Sequence, residues 1–98
     1  MLYTKEQISN FHEQKFAFIL TEEKDNVLTI TLNRPEKRNA FHMPLANELA
    51  YALAYGHYTN AVWVVIIKAN GLTFCAGADL KAFAGDNTVD KPSTIPFP

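Results

Sequence analysis

The sequence has only one cysteine, one tryptophan and four glycines in 98 residues. A single cysteine, Cys75, cannot form an internal disulfide, which fits a reducing compartment such as the cytoplasm. The longest apolar run goes from Ala61 to Ile67 and is ended by Lys68. A membrane-spanning helix needs roughly 20 apolar residues, so no membrane partner is expected. Met1 to Glu6 lack the basic region and apolar stretch of a secretory signal. Neither sign of charge dominates: nine Lys and Arg face ten Asp and Glu, for a net charge of −1. That balance carries no electrostatic footprint for nucleic acid. The glycine patterns of dinucleotide and P-loop sites are missing. His12, His42 and His57 are scattered, and no metal site is expected from them. Each reads as a solvated or locally hydrogen-bonded residue. Cys75 reads as a small buried residue with no adjacent base to activate it.

What is present argues for a folded unit. At 48% hydrophobic the chain is too apolar to be disordered, and its length suits one small domain. Residues 4–14 read either as a short helix, with Thr4 and Gln7 as a capping box, or as an N-terminal arm. Phe16 to Glu22 is a strand candidate, and Lys24-Asp25-Asn26 is a turn signal. From Val27 to Leu32 the residues alternate, with Leu28, Ile30 and Leu32 on one face, which predicts a half-buried strand paired as a hairpin. Asn33, Arg34 and Pro35 end it, because proline has no N–H for a sheet and keeps its predecessor extended.

Pro44 suits a first helical turn, and apolar residues at steps of three and four predict a helix over 44–56, with Gly56 as its stop. Val62 to Lys68, apolar on both faces, predicts a strand buried in mid-sheet. Leu72 to Cys75 could form a brief strand. Ala76 to Asp79 reads as a loop opening a helical turn through Phe83. Three prolines in the last seven residues predict an extended, mobile loop over 84–98.

Two segments could carry chemistry. In the run from Thr73 to Lys81, Ala76, Gly77 and Ala78 have almost no side chain, so a ligand can approach the backbone. Unpaired N–H groups at a helix start can donate to a carbonyl that becomes an oxyanion. Asp79 would then be an acid at the helix start and Lys81 a reachable cation. The same residues also fit a plain strand-turn-helix with Asp79 as the cap. The second segment, Asn33 to Ala40, is either a solvated loop or a set of cations ready for phosphate.

Taken together, Leu32-Asn-Arg-Pro-Glu-Lys-Arg-Asn-Ala-Phe41 and Phe74-Cys-Ala-Gly-Ala-Asp-Leu80 resemble the N-terminal part of the enoyl-CoA hydratase/isomerase (crotonase) superfamily. The resemblance runs from about residue 16 to residue 83. It implies an α/β fold, the crotonase-like spiral of ββα units, with residues 1–98 as the N-terminal part of one domain and 1–15 as its arm or short helix. It also implies an acyl-CoA substrate whose thioester enolate is held by two backbone N–H groups, the first of which maps to Ala78. Residues 76–80 (Ala76, Gly77, Ala78, Asp79 and Leu80) would lie along the acyl-pantetheine arm. Lys37, Arg38 and Lys81 map to places that meet the nucleotide and phosphates of CoA, Arg38 foremost because it directly precedes Asn39 and Ala40. Ala40 completes the binding set, and Asn33, Arg34 and Pro35 are structural.

The implied enzyme is a lyase or isomerase of the kind found in fatty acid metabolism, with hydration of a 2-enoyl-CoA as the modal reaction and no cofactor or metal. Family members run to roughly two and a half times this length and commonly form trimers or hexamers. Their second oxyanion donor sits in a glycine-rich segment further along, and their acid/base carboxylates follow that segment; this sequence reaches neither. A complementary C-terminal segment or chain is therefore expected. A non-catalytic CoA-binding module and an inactive truncated product are the other readings. Glu22, Glu23, Glu36 and Glu48 match none of the family's catalytic positions.

Overall fold

The computed structural model describes residues 2–85 and 91–98. It contains β1 (Ile19–Lys24), β2 (Val27–Leu32), α1 (Met43–Tyr58), β3 (Val64–Ala69) and a short α2 (Leu80–Phe83). Strands β1 and β2 form the expected hairpin, in register from Ile19 opposite Leu32 to Lys24 opposite Val27. Its strand begins three residues later than Phe16. The two-residue turn, Asp25-Asn26, takes φ of 53° and 67°, the left-handed region that Asp and Asn tolerate best after glycine. Helix α1 then carries the chain back so that β3 pairs parallel to β2, giving the sheet order β1-β2-β3.

The alternation in β2 does what its period demands. Leu28, Ile30 and Leu32 are at most 1% exposed beneath α1, where Leu45 and Ala52 are also fully buried. Burying each such side chain contributes about 1.5–3 kcal/mol. The N-terminal arm closes one end of this core. The Thr4–Gln7 capping box forms in both directions: the Thr4 N–H donates to Gln7 Oε1 at 2.8 Å and the Gln7 N–H to Thr4 Oγ1 at 3.2 Å. Beyond this box the arm continues as turns and a 3₁₀ turn at Phe11–Glu13 rather than as an α-helix. Phe11 stacks on Tyr55 at 3.9 Å, and Tyr3 meets Tyr51 edge-on at 5.1 Å.

Four expectations are corrected. Helix α1 runs through Gly56 to Tyr58, because Gly56 serves packing: a β-carbon there would lie 3.2 Å from Val65 Cγ2. Among the described residues strand β3 pairs only with β2 and so lies at the sheet's edge rather than in mid-sheet, with Val64 and Ile66 about half exposed. Residues 72–75 form bends and loop, not a strand. The described part of the 84–98 segment is extended, as its prolines dictate, but it is docked rather than free. Ile95 is 3% exposed, Asn47 Nδ2 donates to the Ile95 carbonyl at 3.1 Å, and the Tyr3 hydroxyl donates to the Pro96 carbonyl at 2.6 Å. Residues 86–90 lie outside the described residues.

Tyr55 gives this packing a pH signature. Burial pushes its phenol up to about 12, and Glu23, which accepts its hydrogen bond, adds to the shift. A phenol whose folded value exceeds its unfolded one contributes stability fully below the ordinary value near 10 and loses it as pH rises toward the folded value. Urea midpoints should therefore fall between about pH 10 and 12, and Tyr55→Phe should make that fall shallower. An unchanged alkaline slope in the variant would remove Tyr55 from this role.

Candidate functional site

The Asn33–Ala40 loop is built around two buried polar side chains. Arg34 opens a 3₁₀ turn over Pro35–Lys37, and Arg38 and Asn39 come next in left-handed geometry at φ 53° and 54°. Asn39 is fully buried and acts as a hub. Its Oδ1 accepts from the Arg34 N–H at 2.8 Å, and its Nδ2 donates to the carbonyls of Asn70 at 2.8 Å and Thr73 at 2.9 Å. The hub brings the loop against the second motif.

Residues 38–41 and 76–79 then run side by side in a short parallel bridge centred on Phe41 and Ala78. The Ala76 N–H donates to the Arg38 carbonyl at 3.0 Å, the Phe41 N–H to the Gly77 carbonyl at 2.8 Å, and the Asp79 N–H to the Phe41 carbonyl at 2.8 Å. A trans peptide is planar, with its C=O and N–H pointing in opposite directions. Because Phe41 binds the Gly77 carbonyl, the Ala78 N–H of the same peptide unit is aimed away from residues 38–41. Among the described residues no group accepts it, and Ala78 is exposed. Gly77 makes this bend possible, with φ of 100°. Nothing lies within 4 Å of where its β-carbon would be, so conformation rather than space requires glycine.

Ala78 lines a groove of about 380 Å³. Lys37, Arg38, Ala40, Ala76, Ala78, Asp79, Leu80 and Lys81 line it together with Glu36. All the residues singled out from the sequence for binding line it except Gly77. Leu80 is 79% exposed, an apolar side chain without a core to bury it. Asp79 takes the capping place that one of the two readings gave it. Its carboxylate caps α2, Oδ1 accepting from the Ala82 N–H at 3.1 Å, and pairs with Arg34 Nη1 through Oδ2 at 2.8 Å. The Ala82 amide first, and Arg34 second, hold its carboxyl below the usual range. Both oxygens are engaged inside the protein, so the side chain belongs to the scaffold rather than to a ligand.

Cys75 is half-buried rather than buried, and its Sγ accepts from the Gly77 N–H at 3.4 Å. His42 is buried and local, as expected: it caps α1, Nδ1 accepting from the Leu45 N–H at 3.3 Å. No group of His, Cys, Asp or Glu among the described residues could hold a metal ion. No described helix is long and apolar enough to cross a membrane. The reading from sequence missed the Arg34–Asp79 pair and the Asn39 hub. Asn39 had one available signal, the preference of Asn for left-handed backbone. The 45-residue separation of Arg34 and Asp79 offered none.

A parallel β2–α1–β3 crossover followed by a small-residue loop, beside a groove lined by Lys37, Arg38 and Lys81, defines an α/β fold of the crossover class. The comparisons with known proteins say which one. The enoyl-CoA hydratase/isomerase family profile matches residues 22–95. A trans-2-decenoyl-[acyl-carrier-protein] isomerase of Streptococcus mutans is 38% identical over 65 residues, covering 66% of this chain and 25% of that protein. A mevalonyl-coenzyme A hydratase of Aspergillus fumigatus is 43% identical over 56 residues, covering 57% and 21%. The crystal structure of an enoyl-CoA hydratase from Mycobacterium tuberculosis superposes with a TM-score of 0.68 at 39% identity, covering 70% of this chain and 31% of that one. The chain belongs to the enoyl-CoA hydratase/isomerase family, with the crotonase fold. It spans about a fifth to a third of the length of these relatives.

Proposed function

We propose that this chain forms the acyl-CoA-binding segment of an enoyl-CoA hydratase/isomerase family enzyme. In this reading the Ala78 N–H is one of two backbone donors that stabilise a thioester enolate. The observation that carries it is the Ala78 N–H itself, unclaimed by the described residues, on a residue that lines the groove. A thioester carbonyl accepting that N–H gains most as negative charge gathers on its oxygen, which is the condition for lowering a barrier rather than only binding substrate. Lys37, Arg38 and Lys81 would take the phosphates and nucleotide of CoA, and Ala40, Ala76 and Leu80 would lie along the acyl-pantetheine arm. The second donor and the general acid and base would come from a complementary segment outside these residues, in an oligomer of trimeric or hexameric kind. Hydration of a 2-enoyl-CoA in the cytoplasm is the modal reaction, with no cofactor beyond the CoA thioester.

Calorimetric titration of the chain with acetyl-CoA tests the binding half of this reading. Heat of binding is expected, and its absence at millimolar ligand would remove the CoA assignment. Arg38 supplies a sharper check. Arg38→Gly deletes only the side chain, because glycine accepts φ of 53° without strain. It should weaken binding about two- to fivefold, the share of one exposed charge contact, and in the complete enzyme raise KM more than it lowers kcat. The opposite pattern would move Arg38 out of CoA binding.

A further inference from the structure

The three loop residues around the donor have no side-chain anchorage. Ala76, Gly77 and Ala78 are all exposed, and a β-carbon at Gly77 would touch nothing. Their orientation has to be imposed from the ends. The bonds from residues 38–41 supply one restraint. The other arrives at the next residue, Asp79. Arg34 is 1% exposed, and its Nη1 holds Asp79 Oδ2 at 2.8 Å and the Ala40 carbonyl at 2.8 Å. One guanidinium thus clamps both sides of the Phe41–Ala78 bridge from beneath. Asp79 Oδ1 meanwhile secures the start of α2, a four-residue helix that cannot stand alone.

We infer that the buried Arg34–Asp79 pair is a positioning device for the Ala78 N–H, an inference that rests on the reading of Ala78 as the donor. The pair touches no substrate and acts through the main chain. Small displacements matter at such a site, where a misplacement of about 1 Å can cost roughly 10²-fold in rate. The pair would fix the angle at which the donor meets the thioester oxygen and leave the cationic groove to bind CoA independently.

Nuclear magnetic resonance on the ¹⁵N-labelled chain separates the two readings, with hexanoyl-CoA and free CoA as probes. In the wild type the Ala78 amide proton should move downfield with the thioester and not with free CoA. No thioester-specific shift at saturation would overturn the donor reading itself. D79N keeps a capping oxygen for Ala82, since Asn caps about as well as Asp, and loses the charge pair. R34M removes the guanidinium. Both variants should lose most of the thioester-specific Ala78 shift while free CoA binds within about threefold of wild type. Protection of the Ile30 amide from exchange, deep in β2, should be unchanged. A full Ala78 shift in both variants, with the wild-type shift present, would overturn the positioning role and leave the donor reading standing. Loss of Ile30 protection along with the Ala78 signal would overturn it too, since the pair would then hold the sheet rather than the donor.

Discussion

Proline at position 78 should lower turnover of a 2-enoyl-CoA by about 10²–10³-fold or more, the usual cost of one oxyanion donor. The substitution is unusually clean here. The main-chain hydrogen bonds that hold the loop to residues 38–41 all belong to neighbours of Ala78: the Ala76 and Asp79 N–H groups, the Gly77 carbonyl, the Arg38 carbonyl and both main-chain groups of Phe41. The Ala78 N–H contributes to none of them among the described residues, so its removal takes away a donor and no structural bond. Proline does restrict the residue before it toward extended backbone, but that residue is Gly77, the most permissive one available. The expected signature in the complete enzyme is a collapse of kcat/KM, with free CoA, which lacks the thioester carbonyl, still bound within about threefold. Comparable loss of free CoA binding would point to the proline ring blocking the groove. A variant near full speed would show that Ala78 is not the donor.

The separation between donor and groove also explains which parts of the site could be read from the sequence. The motif from Phe74 to Leu80 announces itself because small residues in a row are visible. The strand β2 announces itself because period two is local. So does the hairpin turn, whose Asp25 and Asn26 take the left-handed backbone their chemistry favours. The errors fall where tertiary context decides. Gly56 looked like a stop because glycine usually ends helices, yet it sits in α1 where Val65 comes within 3.2 Å of a β-carbon position. The run Val62 to Lys68 looked central because both faces are apolar, yet apolarity on two faces says that a strand wants cover, not that these residues supply it. The tail looked free because proline disfavours helix and sheet, yet an extended segment can still bury Ile95 against α1. Arg34 and Asp79 were each visible as charges. Their pairing was not, because the Asn39 hub that brings the two loops together is a set of contacts to carbonyls, and every residue has a carbonyl.

Glu48 was the least legible residue of all, and its truncation should carry a large stability effect. It stands on α1 beside Leu49 and would ordinarily be taken for a solvated charge, but it is fully buried. Its Oε1 accepts from the Phe18 N–H at 2.7 Å, and its Oε2 accepts from the Ala17 N–H at 3.0 Å and from the Ser93 hydroxyl. One carboxylate therefore joins the helix, the lead-in to β1 and the docked tail. Glu48→Ala strands the buried Phe18 amide, partly strands that of Ala17 and leaves a cavity. At about 1–3 kcal/mol for each stranded buried donor, less where water can reach, the loss should be about 3 kcal/mol. A small domain holds only about 5–15 kcal/mol in all, so the urea midpoint should move far toward zero and Tm should fall by roughly 12–24 °C. Glu48→Gln keeps one carbonyl oxygen for the amides and should cost about 1–2 kcal/mol, which separates lost acceptors from lost packing. An apolar isostere such as Glu48→Met should behave like alanine rather than glutamine, since filling the space does not satisfy the amides. Equal stability of the methionine and glutamine variants would mean that the Ala17 and Phe18 amides reach water, and that packing rather than the carboxylate fixes the entry into β1.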